Sequence, residues 1–490
     1  MIHAQMVIDG QSVDAADGAV SDAVNPFDGR AWGTIPAAGR ADVDRAVAAA
    51  RAAFPAWRAT PGVERARLMH RLADAIEASA DRLAEWETTD NGKVIRETRP
   101  QMSFAARNLR FFAGYADKLY GKTIPLDNPA VFDYTVRRPH GVCALITAWN
   151  SPVALLANKL PPALATGNTV VIKPSEHASI TTTEIARLAT EVGFPPGVIN
   201  VITGDGAVGD ALTRHPHVDM ISLTGGGVVG RRIAANAAER LVPVSLELGG
   251  KSPNIVFADA DIDRAVQGAV AGIFGAAGQT CVAGSRLLVE RPAYDRVVQE
   301  VSDRAARVKL GNPLDRATEM GPVANRPQFD RILALIEQAK DAGASVTAGG
   351  GRASGKDLDD GFYIQPTVFA GVAPRSDIAQ TEIFGPVLSV IAFDDEAEAV
   401  AIANDTEYGL AAGIWTQDIS KAFRMTEGLD AGVVWVNTYR TSAAQAPFGG
   451  TKQSGYGRER GEEALHDYTH IKNVMIDTSS EARDPFVIRT

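Results

Sequence analysis

Gly141-Val142-Cys143-Ala144-Leu145-Ile146-Thr147-Ala148-Trp149-Asn150-Ser151-Pro152 decides the fold. The aliphatic run 142–146 reads as a buried strand, a turn follows, and a helix begins near Val153. The same alternation returns downstream, with aliphatic runs at 170–172, 198–202, 220–223 and 244–248 separated by helical stretches. Buried strands alternating with helices are the signature of a parallel, doubly wound sheet.

Upstream, residues 42–57 and 64–86 place apolar side chains at helical spacing, as in Leu68, Leu72 and Ile76, with Arg and Glu between them. Both read as amphipathic helices. Downstream, a second α/β series opens near Asp261, where Asp261 or Asp263 can cap a helix over 264–274, and continues through a helix over 328–342. Residues 121–124 and 131–136 flank Pro125, Asp127, Asn128 and Pro129 and read as a hairpin. The stretch 470–476 reads as a further strand, of the exposed kind that a partner subunit often completes. The expected class is therefore α/β, with a doubly wound parallel-sheet domain, a second α/β domain and a small β element.

Composition fits that division. A chain of 490 residues, 45% hydrophobic, exceeds one ordinary domain, and 46 Gly against 6 Trp and 9 Tyr match many tight strand-to-helix turns. A net charge of −10 offers no basic stripe for a nucleic-acid backbone. The stretch Met1-Ile2-His3-Ala4-Gln5-Met6 lacks the charged-then-apolar order of a secretory signal. The least polar run, 265–278, is shorter than the roughly 20 residues of a membrane span and contains Gln267. A cytoplasmic protein without membrane or nucleic-acid partners is expected.

Two cysteines, Cys143 and Cys281, make neither a disulfide framework nor a four-thiolate metal site. His215 and His217 read as a loop pair. Asp259, Asp261 and Asp263 imitate a calcium loop, but Arg264 and Val270 stand where glycine and glutamate are required. No metal is expected.

The chemistry-bearing residues are ambiguous one at a time. Cys281, in Gly278-Gln279-Thr280-Cys281-Val282-Ala283-Gly284, has small neighbours that leave room for a substrate, yet a lone cysteine commonly serves as a buried apolar residue, the reading given to Cys143. Glu247 ends an aliphatic run before Gly249-Gly250. It suits a general base of raised pKa and equally a strand-end cap or ion-pair partner. Asn150 offers an NH₂ to an oxyanion, aided by the Cys281 N–H, or simply shapes a turn. Gly204-Asp205-Gly206-Ala207-Val208-Gly209 and Thr224-Gly225-Gly226-Gly227-Val228-Val229-Gly230 each follow a strand and open a helix, and two such turns in one sheet favour a nucleotide.

Taken in order, Trp149-Asn150, Lys173-Pro174-Ser175-Glu176, Glu247-Leu248-Gly249-Gly250-Lys251, Gly278-Gln279-Thr280-Cys281, the segment 382–386 and Pro447-Phe448-Gly449-Gly450 make the chain resemble the NAD(P)-dependent aldehyde dehydrogenase superfamily over about residues 7–476. The resemblance implies an NAD-binding domain over 1–119 and 141–250, a catalytic domain over 251–453, and a bridging element over 120–140 and 466–490, assembled as homodimers or homotetramers. It implies Cys281 as nucleophile, Glu247 as base, and Asn150 with the Cys281 N–H as oxyanion hole. Trp149, Lys173, Glu176, Gly209, Gly225, Gly230, Glu382 and Phe384 are the implied cofactor residues. Lys159 resembles a lysine proposed to relay protons from the glutamate, and equally an ordinary helix lysine. Glu176 would accept from a ribose 2′-hydroxyl and repel a 2′-phosphate, favouring NAD over NADP.

Departures from the family pattern bear on the substrate. Relatives that take simple aldehydes often carry aromatics where this chain has Ser151, Asn158 and Ser442, with Arg440 and Phe448 near the same mouth. A polar aldehyde follows as the expectation, a semialdehyde or hydroxyaldehyde, unless Arg440 points to solvent or pairs with an acid. Gly226 and Gly227 replace the usual Ser and Thr, leaving the backbone donors. Two rival readings are a CoA-acylating dehydrogenase, which Glu247 opposes, and a non-catalytic protein retaining the fold.

Overall fold

The structure, a computed structural model, describes residues 1–355, 357–480 and 486. The run 142–146 forms strand Val142–Thr147, buried at every position. Its side chains divide by parity. Cys143 and Leu145 enter a core with Met69, Leu72 and Ile76, whereas Val142, Ala144 and Ile146 enter another with Val43 and Val47. Helices therefore cover both faces, as a strand without polar alternation requires.

This strand lies inside an eight-stranded sheet ordered Gly455–Tyr456, Val244–Glu247, Met220–Thr224, Val142–Thr147, Thr169–Pro174, Ile199–Val201, Met6–Ile8 and Gln11–Val13. The five from Val244–Glu247 to Ile199–Val201 run parallel, and antiparallel strands close both edges.

The helix expected over 42–57 spans Arg40–Ala59. The one expected over 64–86 is two, Gly62–Ala78 and Ala80–Asn91. Ser79 makes the break: its N–H closes the first helix on Ala75 and Ile76, and its carbonyl accepts from Leu83 to start the second. Hydrophobic spacing alone runs through such a joint because both helices bury the same side.

A seven-stranded sheet follows, ordered Ser345–Ala348, Thr367–Ala370, Val387–Phe393, Arg286–Glu290, Pro253–Val256, Ala411–Trp415 and Val433–Val436, parallel except at the Ser345–Ala348 edge. Helix Ile262–Phe274 takes Asp261 as its cap, the side chain accepting from Arg264 N at 3.2 Å. Asp263 pairs with Arg296 instead, at 2.6 Å. The helix expected over 328–342 is Arg326–Asp341, capped by Asn325.

The third unit is a three-stranded sheet of Thr469–Asp477, Val131–Pro139 and Thr123–Ile124. The long pair keeps register from Thr469 opposite Pro139 to Asp477 opposite Val131. The arm expected over 121–124 shortens because Lys122 N is taken by the Thr135 hydroxyl at 2.9 Å. Of the bridging element expected over 466–490, residues 481–485 and 487–490 lie outside the described residues. Among the described residues no helix is long and apolar enough to cross a membrane.

Candidate active site

The C-terminal ends of the parallel strands in the first sheet face the second sheet, the position where open α/β sheets hold ligands. Strand Val142–Thr147 delivers Trp149 and Asn150 in the turn before helix Pro152–Ala165, whose Ser151 N-cap and Pro152 fix the entry. Strand Val244–Glu247 delivers Glu247 as its last residue. Cys281 comes from the second sheet's side, after a turn containing Ala276 and Ala277 at φ 54° and 53°, and before strand Arg286–Glu290.

Glycines allow these segments to touch. A β-carbon on Gly278 would strike the Gly385 carbonyl, and one on Gly249 would strike the Glu382 carboxylate. One on Gly250 would lie 2.5 Å from the Cys281 carbonyl. Each motif thus needs its glycine because another motif's backbone or carboxylate occupies that space.

A cleft of about 380 Å³ joins Trp149, Asn150, Gly225, Cys281, Glu382 and Phe384. Glu382 accepts from Gly250 N at 2.9 Å. Phe384, at φ 56°, presents its ring to Trp149 edge-on, 5.3 Å between centroids. Its loop is held by two side chains that sequence reasoning missed: Gln328 donates to the Ile383 and Phe384 carbonyls, both at 2.9 Å, and Arg331 to the Glu382 carbonyl at 2.7 Å. Opposite, helix Gly227–Ala238 begins at Gly226 with no side-chain cap, and Val228 and Val229 stand exposed in the cleft. Unsatisfied helical N–H groups at a cleft wall suit an anion.

Four other expected cofactor residues lie outside that lining. Lys173 and Glu176 pair at 3.4 Å, with Gly209 beside the Lys173 stem. Burial alone would raise the Glu176 carboxyl, but Lys173 beside it holds the group below its ordinary value. Gly230 packs against Leu248, where a β-carbon would fall 2.6 Å from a methyl. Its place is helix packing.

At the Cys281 end, Asn150 Nδ2 donates to the Gln279 carbonyl at 2.9 Å, which fixes the amide beside the Cys281 loop and leaves its second hydrogen. No described group accepts from the Cys281 N–H. Burial pushes the Cys281 thiol up to about 12, with the charges of Glu247, Glu382 and Glu459 adding and Arg460 opposing. Glu247 is 2% exposed, and among the described residues neither of its oxygens has a hydrogen-bond partner. Its pKa is raised well above the carboxylate range by burial first and by Glu459 second, against Lys159, Arg458 and Arg460.

Behind Glu247 lies a charged network. Lys159 Nζ donates to Glu459 Oε1 at 2.6 Å and to Ser222 Oγ at 3.0 Å, and Asn158 Nδ2 donates to Glu459 Oε2 at 2.8 Å. Lys159 is therefore a buried ion-pair partner. Glu459 and Arg460 were missed from sequence. The signal was present in Gly457-Arg458-Glu459-Arg460-Gly461, three charges bracketed by glycines close after the Pro447–Gly450 motif.

The residues expected at the substrate mouth take different positions. Phe448 packs with Cys281 around Val282, Leu410 and Ala411. Ser151 donates to the Asn150 carbonyl at 2.7 Å and accepts from Lys93, another residue sequence reasoning missed. Asn158 and Ser442 both bind Arg460, at 3.1 and 2.6 Å. Arg440 donates to the Ala271 carbonyl at 3.2 Å and lines a separate open cavity of about 1150 Å³ with Arg96, Glu97 and Arg304. It forms no ion pair among the described residues.

Residues 13–474 match the model of the aldehyde dehydrogenase family. The chain belongs to the aldehyde dehydrogenase family. Among its relatives, a protein of Acinetobacter baylyi named (Z)-2-((N-methylformamido)methylene)-5-hydroxybutyrolactone dehydrogenase is 46% identical over 491 residues, covering 99% of each chain. The crystal structure of PnpE from Pseudomonas sp. WBC-3 superposes with a TM-score of 0.97 at 44% identity, covering 99% of this chain and 100% of that one. Betaine aldehyde dehydrogenase of Staphylococcus aureus, solved in complex with NAD+, gives a TM-score of 0.97 at 40% identity over 99% of this chain and 97% of that one. Membership at this coverage carries aldehyde oxidation as the general activity of the chain.

Proposed function

We propose that the protein oxidises a polar aldehyde to a carboxylic acid with NAD as acceptor, through a thioester on Cys281 that water, activated by Glu247, releases. The observation that carries this reading is that Cys281 and Asn150 line one cleft walled by an uncapped helix N-terminus, with a Glu247 carboxylate that bonds no described group near enough for its charge to raise the Cys281 thiol.

The donors present fit the cofactor. The free N–H groups at Gly226 and Gly227 suit a pyrophosphate, Glu382 suits ribose hydroxyls, and Trp149 with Phe384 bounds the nicotinamide end; Lys173 and Glu176 are assigned to the adenosine ribose. Bound NAD supplies a hydride acceptor. The chain's own groups do the rest. The Cys281 thiol releases its proton to solvent, its thiolate sulfur adds to the carbonyl carbon, and the new oxyanion takes hydrogen bonds from Asn150 Nδ2 and the Cys281 N–H. Loss of hydride leaves a thioester. Glu247 then takes a proton from water as its oxygen bonds to the acyl carbon, and the carbon–sulfur bond breaks to return Cys281. A base of raised pKa, held without competing hydrogen bonds, suits that step, and the Lys159–Glu459 pair behind it offers a path for the proton.

Support for a polar substrate comes from Arg460, stacked on Phe448 with Asn158 and Ser442 bonded to it, and from the relative named for a hydroxybutyrolactone. The same reading assigns the first sheet to NAD, the second to Cys281, and the three-stranded sheet to assembly as dimers or tetramers. Purified protein is tested for NADH release with semialdehydes, hydroxyaldehydes, aminoaldehydes and aromatic aldehydes. NADH formation that Cys281→Ser abolishes is expected. Absence of NADH with every aldehyde, preference for NADP, or dependence on CoA would overturn the corresponding part.

A further inference from the structure

Arg460 has no task in the chemistry above, yet five side chains are arranged around it. Its Nε donates to Asn158 Oδ1 at 3.1 Å and its NH1 to Ser442 Oγ at 2.6 Å. The guanidinium carbon lies 4.7 Å from the Phe448 ring centroid and 5.2 Å from that of Phe104. Glu459, its chain neighbour, acts on it only through space, because the Glu459 oxygens bond Lys159 and Asn158 at 2.6 and 2.8 Å. Among the described residues Arg460 forms no ion pair, and its NH2 has no hydrogen-bond acceptor.

A half-buried cation with no carboxylate bonded to it costs desolvation that the nearby Glu459 charge only partly offsets, and burial still holds its pKa below the ordinary value. Such a cost is tolerated where a ligand brings the counter-charge. Arg460 is also close to the reacting atoms: Phe448, on which it stacks, packs with Cys281 around Val282, Leu410 and Ala411, and its charge opposes the rise of both the Cys281 and Glu247 pKa values. The neighbouring cations are less suitable. Lys93 is committed to Ser151 Oγ, and Arg440 lines the outer cavity.

We propose that Arg460 determines specificity by binding a carboxylate at the far end of the aldehyde, so that the substrate class is a semialdehyde. Asn158 and Ser442 then act as positioning residues that aim the guanidinium. This rests on the aldehyde-oxidising reading and narrows its polar substrate to an anionic one. A carboxylate gains charge-assisted bonds from the open NH2 side of the fork, whereas a hydroxyl or amide gains an ordinary one.

The test compares succinic semialdehyde with its methyl ester, which differ in the remote charge. The expected kcat/KM ratio of acid to ester is about tenfold or more in the unsubstituted enzyme, falling to near unity in Arg460→Leu and partly restored in Arg460→Lys. A second measurement needs no turnover: calorimetric titration with butyrate and butyramide, of one length, of which only butyrate offers Arg460 a carboxylate. Butyrate is expected to bind at least about tenfold tighter to the unsubstituted protein, with the difference absent in Arg460→Leu. Equal affinity for both compounds in the unsubstituted protein, or a preference that persists in Arg460→Leu, would overturn the assignment. Failure of the parent reading looks different: neither aldehyde yields NADH, while the binding comparison still decides the role of Arg460.

Discussion

A β-carbon on Gly449 would fall 2.8 Å from Oε1 of Glu247. The carboxylate has no hydrogen bond to hold it, so the bare Cα of Gly449 is part of what defines its position. Gly449→Ala is expected to push Glu247 aside and to slow hydrolysis of the thioester more than its formation. Steady-state kcat should fall by about tenfold or more, while rapid mixing still records a burst approaching one NADH per subunit. A burst lost together with the steady-state rate would assign Glu247 to thiol deprotonation instead.

The Cys281 thiol, raised to about 12 by burial and by Glu247, Glu382 and Glu459, is almost wholly protonated at neutral pH in the cofactor-free protein. Because the thiolate is the nucleophile, alkylation by iodoacetamide should accelerate about tenfold per pH unit from roughly pH 7 to roughly pH 10 without a plateau. Glu247→Gln removes a negative neighbour, lowers the thiol pKa and should speed labelling at fixed pH. Arg460→Leu removes an opposing positive charge and should slow it. Cys143, fully buried, should stay unlabelled under native conditions. Mass spectrometry of the Cys281 peptide reads all of these, and a plateau near the ordinary thiol range would refute the account.

The first sheet was legible because aliphatic runs such as 142–146 are buried on both faces and leave no polar alternation to confuse the reading. The break at Ser79 was not, since both helices around it present one continuous apolar face. The grouping of Cys281, Asn150 and Glu247 was legible through motif order, but contact between motifs depends on Gly249, Gly250 and Gly278, whose neighbours come from distant parts of the chain. The polar positions Asn158 and Ser442 were visible as departures. That they grip Arg460 was not, because Asn158 lies 302 residues from Arg460 and Ser442 is brought back to it by the antiparallel bridge of Phe448 with Glu459. Sequence spacing carries no trace of such a bridge.

Lys251 is 1% exposed, and its Nζ has no hydrogen-bond partner among the described residues. Burial first, with Arg286 next, lowers its pKa to about 7, whereas in the unfolded chain a lysine titrates near 10.4. The folded state therefore binds fewer protons than the unfolded one between these values, and this group makes stability rise with pH across that window. Lys251→Met removes the penalty of charging a buried amine. Its melting temperature should exceed that of the unsubstituted protein by a few degrees near pH 6, and the gap should close as pH approaches about 10. A gap independent of pH would show that the amine does not change protonation on folding.

Strand Thr469–Asp477 pairs along one edge with Val131–Pro139 and is the outer strand of its sheet. Its side chains stay uncovered: Ile471 is 60% exposed and Met475 61%, on one face, and Ile476 is 46% exposed on the other. A long edge strand with apolar faces invites pairing or coverage by another chain. Light scattering should accordingly give a mass of two or four 51.8 kDa subunits. The double substitution Ile471→Asp with Met475→Asp should shift the mass toward the single chain, because charge would have to be buried at the contact. Since neither residue lies near Cys281, loss of mass with NADH formation retained would separate assembly from chemistry. A single-chain mass for the unsubstituted protein, or an unchanged mass in the double variant, would exclude this strand as the assembly surface.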